Sequence, residues 1–192
     1  MKVLFPFAKR FIAGTDINDS SVVFQDHLDN DYVVIANLVG ENTQSKETIN
    51  STFKNYSDLL NRFNHPDFSI SVKPSSIGLD VSYEECQTNL SKLASIALEN
   101  QQIIRLDMED SKYTSKTIEL TQSINKKLPG CIGITLQANL FRTKDDLDDL
   151  LESGISIRLV KGAYKENGNI AFTELDAIRE HFIEYSLSLI HI

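Results

Sequence analysis

Ile132-Gly-Ile-Thr-Leu-Gln-Ala138 is apolar at most positions, β-branched at several, and too short for a helix of ordinary length. A strand that is covered on both faces reads this way, and such strands belong to parallel sheets. Four more runs share the character: Tyr32–Val39, Phe68–Lys73, Ile103–Met108 and Ile155–Lys161. Helical periodicity fills the gaps between them. Thr43–Phe63 carries Ile49, Phe53, Leu59, Leu60 and Phe63 at helix-like intervals, and Ser82–Asn100 carries Leu90, Leu93, Ile96 and Ala97. A third helix near Thr114–Leu128 ends in Pro129-Gly130, a stop signal. A fourth starts at Thr143, whose hydroxyl is expected to cap it with Asp146 returning the bond, and Gly154 suits its far end. A further helical pattern covers Phe172–Ser186.

Strand and helix in regular alternation mean βα units with right-handed crossovers. An open doubly wound sheet and a (β/α)8 barrel both fit. The first strand runs into Gly40-Glu41-Asn42-Thr43 and lacks the G-x-G-x-x-G of a dinucleotide-binding open sheet. A complete barrel takes about 250 residues. The 192 residues here supply about five units of eight, so the chain reads as a piece of a barrel with two open sheet edges and an apolar interior. The expected organisation is a helical lead-in over residues 1–30, a partial barrel over 31–185, and a tail over 186–192. That tail, Ser-Leu-Ser-Leu-Ile-His-Ile, has neither cap nor charge and reads as foreign to what precedes it.

Composition excludes several classes. Apolar residues are 41% and charged residues 24%, ordinary for a globular protein. A net charge of -8 without a basic stripe argues against nucleic acid. Cys86 and Cys131 lie far apart, read as buried reduced thiols, and no histidine has ligand spacing, so no metal is expected. The Asp145–Asp149 acidic run reads as a solvated helix face. In the first residues the apolar patch precedes Lys9 and Arg10, the wrong order for a secretory signal. No apolar run approaches the ~20 residues of a membrane span. A cytoplasmic location follows as the expectation, with peripheral membrane contact open.

In parallel α/β folds ligands sit at the carboxyl ends of the strands. Here those ends carry Lys73, Asp107, Gln137 and Arg158. Charges on buried strands are costly unless paired or bound to a ligand. One such residue is commonly a salt bridge, whereas four on successive strands point to a site. An ion-pair network, with Lys73 against Asp107, is the simplest structural alternative, and it is compatible with a site because a paired lysine stays charged for an anionic ligand.

The segments around those four residues resemble proline dehydrogenase, the FAD-dependent (β/α)8-barrel enzyme of proline catabolism. The resemblance is carried by Ser71-Val-Lys-Pro-Ser-Ser-Ile-Gly-Leu79, Leu106-Asp-Met-Glu-Asp-Ser111, Leu136-Gln-Ala138 and Arg158-Leu-Val-Lys-Gly-Ala-Tyr164, with Ala8–Gly14 and Leu38–Glu41 as weaker matches. It implies that Lys73 binds the carboxylate of L-proline and that Asp107 orients that lysine and the polar network. It implies that Met108 and Gln137 line the isoalloxazine, that Arg158 lies against the ring and stabilises its reduced charge, and that Lys161, Gly162 and Ala163 flank the FAD chain. Asp107 and Arg158 are thus the implied catalytic residues. Gly162 is expected to let a ligand approach the backbone. The implied reaction gives Δ1-pyrroline-5-carboxylate, with electrons passing to a quinone at the inner face of a membrane. Two residues depart from the family pattern: Asn139 stands where an aromatic is usual, and Pro74 where leucine is usual. The family's last three strands and final helix have no counterpart here, so the isolated 192-residue chain is expected not to turn over proline.

Overall fold

The computed structural model describes residues 12–190. The weaker match over Ala8–Gly14 falls largely outside them. The lead-in contains helix α1 (Ile17–Asp29), started by Asp16, whose carboxylate accepts from the Asn18 and Asp19 amides at 2.8 and 3.0 Å. Its Phe24 ring meets Phe63 and Phe68 edge-on, with centroids 5.8 and 5.7 Å apart, and so closes the near end of the core.

Five strands follow, β1 (Val34–Asn37), β2 (Phe68–Val72), β3 (Ile104–Leu106), β4 (Ile132–Gln137) and β5 (Ser156–Val160). They pair in parallel in the order β1-β2-β3-β4-β5. Each connection carries a helix: α2 (Lys46–Arg62), α3 (Tyr83–Glu99), α4 (Ser111–Lys127) and α5 (Thr143–Glu152), with α6 (Leu175–Ile190) after β5 and a short 3-10 turn, Pro74–Ile77, after β2. Sequential order and unbroken parallel pairing make this the five-unit arc of a (β/α) barrel. An open doubly wound sheet would reverse its strand order at a switch point.

The strands are shorter than their apolar runs suggest. Tyr32 and Val33 stand exposed before β1, because among the described residues β1 is a sheet edge and nothing pairs with it on its outer side. Helix α4 starts at Ser111, earlier than Thr114, because Asp110 caps it by accepting from the Lys112 amide. Helix α5 does begin at Thr143, but not by the expected capping box. The Thr143 hydroxyl turns back to donate to the Gln137 carbonyl, and Asp146 takes the Arg142 guanidinium at 2.6 and 2.9 Å instead. Phe172 is not helical. Its amide donates to the Asn139 carbonyl at 2.8 Å and its ring meets Phe141, while α6 starts at Leu175 and runs through Ser186 to Ile190. Residues 191–192 of the expected tail lie outside the described residues.

The core lies between the sheet and its helices. Ile70, Val72, Ile104, Leu106 and Ile132 meet Tyr56, Leu60, Leu90, Leu93 and Leu120, all almost wholly buried. A second cluster joins Ile134 and Leu136 to Leu147, Leu150 and Tyr185. Cys86 and Cys131 are buried as free thiols. The other face of the sheet is not the apolar interior expected. Alternation along the strands puts Asn37, Ser69, Ser71, Arg105, Thr135, Gln137, Ser156 and Arg158 on it, and these polar groups bond to one another across the strands.

Candidate active site

The concave face gathers around Asp107, which follows β3. Its carboxylate accepts from Ser71 Oγ at 2.7 Å, from Asn37 Nδ2 at 3.2 Å and from Thr135 Oγ1 at 3.4 Å, and it is ion-paired with Arg158 Nη2. Arg158 Nε donates to Thr135 Oγ1 at 3.1 Å. Four strands thus converge on one carboxylate, and the guanidinium is held in a fixed orientation. Below this pair Arg105 reaches the Ser156 hydroxyl at 3.2 Å. A Cβ at Gly133 would come within 2.8 Å of the Ser156 carbonyl oxygen and 3.0 Å of Arg105 Nη1, so glycine makes room for the neighbouring strand and for that guanidinium. Burial pulls the Arg105 pKa down, and the neighbouring Arg158 charge adds to the effect.

Lys73 does not pair with Asp107, and Asp107 does not orient it. The lysine ammonium lies 2.5 Å from Glu41 Oε2, and the Tyr164 hydroxyl donates to the same oxygen at 3.0 Å. The ribbon explains the difference. Lys73 follows β2 at its very end and leans toward the loop after β1, whereas the Asp107 carboxylate lies on the concave face among Asn37, Ser71, Thr135 and Arg158. The Lys73 hydrogen bond, and then that of Tyr164, hold the Glu41 carboxyl below its usual value. Burial works against the Lys73 ammonium, but the bond to Glu41 and the charges of Tyr164 and Glu41 outweigh it, so its pKa is raised. Tyr164, from the loop after β5, therefore reaches across the mouth to the loop after β1.

Gln137, the last residue of β4, is buried; its Nε2 donates to the Glu109 carbonyl at 3.0 Å and its Oε1 accepts from the Ala163 amide at 3.4 Å. Lys161 is exposed at the end of β5 and makes no ion pair among the described residues. Gly162 has φ +110, and a Cβ there would overlap the Asn139 carboxamide. The Asn139 side chain is thus a neighbour that requires glycine at this position. Asn139 also anchors the loop from both ends, donating to the Lys161 carbonyl at 3.0 Å and accepting from Phe172. Met108 is buried with Ile134 and Leu136 in the outer core. The structure does not bring its side chain to the polar row.

Several contributors were not singled out from the sequence. Glu41 and Tyr164 stand in the sequence only as parts of motifs. Ser71, Thr135 and Asn37, which ring Asp107, are polar residues spaced by two within apolar runs, a signal that alternation could have found. Glu109 is buried and accepts from the Ser75 amide at 3.0 Å and from the Ser75 hydroxyl. Burial raises its pKa, against the Ser75 hydrogen bonds. Glu166 accepts from the Ser111 amide and hydroxyl, both at 2.7 Å, and so fastens the loop after β5 to the start of α4.

The family model described as proline dehydrogenase matches residues 24–176. The chain belongs to the proline dehydrogenase family. Proline dehydrogenase 2 of Bacillus subtilis is 29% identical over 177 residues, covering 91% of this chain and 58% of the relative. The proline dehydrogenase of Deinococcus radiodurans is 26% identical over 186 residues, covering 93% and 60%. The chain therefore spans somewhat over half the length of these family members. Among solved structures, proline utilization A from Bdellovibrio bacteriovorus, inactivated by N-propargylglycine, superposes with a TM-score of 0.82 at 19% identity, covering 93% of this chain and 24% of that one. A variant of proline utilization A from Bradyrhizobium japonicum gives a TM-score of 0.75 at 19% identity, covering 93% and 22%. These two likenesses concern the fold. No helix among the described residues is long and apolar enough to cross a membrane.

Proposed function

We propose that the concave face is the proline and flavin site of an enzyme that oxidises L-proline to Δ1-pyrroline-5-carboxylate. The observation that carries the reading is the placement of Arg158. It is a guanidinium fixed by Asp107 and Thr135 on a polar sheet face, on the strand that runs on into exposed Lys161 and the Gly162–Ala163 backbone, whose Ala163 amide meets Gln137. That set of cations and amides fits FAD, which has an anionic diphosphate chain and gains negative charge on its ring when reduced. Lys161, Gly162 and Ala163 would flank the chain, and Arg158 and Gln137 would face the ring. FAD, when bound, supplies the acceptor for a hydride from C5 of proline, and a quinone is the proposed onward acceptor.

The residues of this chain bind and orient. Lys73 takes the proline carboxylate once that anion replaces Glu41 as its partner. Asp107 keeps Arg158 in place without meeting the substrate itself. The C5 carbon would lose a hydride to the flavin and the ring nitrogen a proton to water, which leaves the C5–N double bond of the product. The test is reduction of the bound flavin in a full-length protein containing this chain, under anaerobic conditions. L-proline should bleach the flavin absorption of the parent, and Arg158→Met should lose flavin or slow the bleaching. Unchanged flavin content and rate in the variant would remove Arg158 from the site.

A further inference from the structure

Glu109 is the buried carboxylate of this region to which the proposed reaction gives no task. It is 2% exposed, sits two residues beyond Asp107, and hydrogen-bonds to Ser75. Both of its oxygens face Ser75, one toward the amide at 3.0 Å and the other toward the hydroxyl. Ser75 Oγ in turn accepts from the Asn42 amide at 2.8 Å. On its other side the Glu109 peptide carbonyl accepts from Gln137 Nε2 at 3.0 Å, and Gln137 Oε1 receives the Ala163 amide at 3.4 Å. One line of hydrogen bonds therefore runs from the loop after β1, through the turn after β2 and the end of β3, to the end of β4 and the loop after β5.

We infer that Glu109 is a positioning residue that couples the Lys73 turn to Gln137 and, through it, to the Gly162–Ala163 backbone. The inference rests on the reading of Lys73 and Ala163 given above for its functional meaning, but the coupling itself is a property of this chain. Its physical basis is the cost of an unmade bond. An apolar residue at position 109 leaves the buried Ser75 amide without an acceptor, and that penalty exceeds the net worth of the hydrogen bond. The turn then moves to rescue its donor. Lys73, whose carbonyl accepts from the Ser76 amide at 2.9 Å and from the Ser76 hydroxyl at 2.7 Å within the same turn, moves with it. The Glu109 peptide loses its side-chain anchor in the same event, and the Gln137 carboxamide loses a fixed acceptor. Burying a carboxylate is unfavourable for stability, so packing alone does not account for an acid at this position.

The experiment follows hydrogen exchange by NMR in the isotope-labelled 192-residue chain without flavin, so that its result does not depend on cofactor binding. Glu109→Met keeps the volume and removes both acceptors. It should speed exchange at the Ser75 amide and at the Gln137 carboxamide by about tenfold or more, the scale of one lost buried hydrogen bond. The Asn100 carboxamide, which donates to the Leu60 carbonyl at 3.0 Å in the core, is the control and should keep its rate. Glu109→Gln retains one acceptor oxygen and should recover most of the protection at both sites. Gln137→Leu should leave Ser75 unchanged, because the line is then cut beyond Glu109. Faster exchange at Ser75 with Gln137 unmoved in the Glu109 variants would overturn the coupling. So would equal acceleration at all three positions, the mark of general destabilisation. Should Glu109→Met lose its helical circular dichroism, the comparison of Glu109→Gln with the parent decides, with a smaller rise at both sites expected and a rise at Ser75 alone contradicting it.

Discussion

Arg158 on β5 is ion-paired with Asp107 beyond β3, and the pair spans β4 by way of Thr135. Arginine and carboxylate are both partly shielded, at 35% and 17% side-chain exposure, so neither is fully hydrated when its partner is removed. Asp107→Ala should therefore destabilise the protein by about 1.5–3 kcal/mol, the range for hydrogen bonds to charged groups, measured by urea unfolding. Adding Arg158→Met should cost less than the sum of the two single changes, because the second removes a charge the first has stranded. Additive losses would show that the pair is not a unit.

The second ion pair, Lys73 with Glu41, stands where a substrate carboxylate would compete. Glu41→Gln should tighten proline binding roughly two- to fivefold, the small gain expected from an exposed pair, read as a lower KM with kcat little changed. The pair also has a defined pH window. The folded-state pKa of Glu41 is lowered, chiefly by Lys73 and then by Tyr164, so its contribution is present above the unfolded value of about 4.3 and is lost as pH falls through the lower folded value. The folded-state pKa of Lys73 is raised despite its burial, so its share is complete below about 10.4 and is lost as pH rises through the higher folded value. The difference in stability between parent and Glu41→Gln should accordingly shrink at both extremes; a difference constant from acid to alkaline pH would contradict it.

Gly162 combines φ +110 with a side chain already in the place of its missing Cβ. Gly162→Ala should cost about 1–3 kcal/mol from the backbone conformation alone, and more from the clash with Asn139. Asn139→Ala in the same chain should recover the steric part and leave the conformational part. If Asn139→Ala recovers nothing in thermal unfolding, the packing of Asn139 under Gly162 is not what the glycine serves.

Glu166 caps α4 from a distance of 55 residues along the chain. Glu166→Ala should lower stability by about 1 kcal/mol, as loss of a helix cap does, and should expose the loop after β5 to proteolysis before the rest of the barrel arc. Simultaneous cleavage throughout the chain would show that the loop has no separate anchor.

Most of the fold was legible because parallel strands leave a local record. Ile132–Gln137 and Phe68–Val72 are apolar in sequence and buried in place, and the helices between them begin and end near their caps and stop signals. The polar character of the concave face was harder to see. Arg105, Ser71 and Thr135 look like interruptions of apolar runs until the register lines them up. The four strand-end residues were found by position, but their partners were not. Lys73 meets Glu41 and Asp107 meets Arg158 because pairing depends on which way each side chain leans at its strand end, and the sequence does not record that. The Glu166 cap and the contact between Asn139 and Gly162 join positions far apart in sequence, with no motif to announce them.

The most direct test of the flavin and proline reading is anaerobic titration of L-proline into a full-length protein containing this chain, followed by the flavin absorption. The parent should hold FAD and bleach on addition of proline, Lys73→Ala should require a higher proline concentration for the same bleaching, and Arg158→Met should lose flavin or bleach more slowly. A colourless parent, or a flavin that proline leaves oxidised, would contradict it.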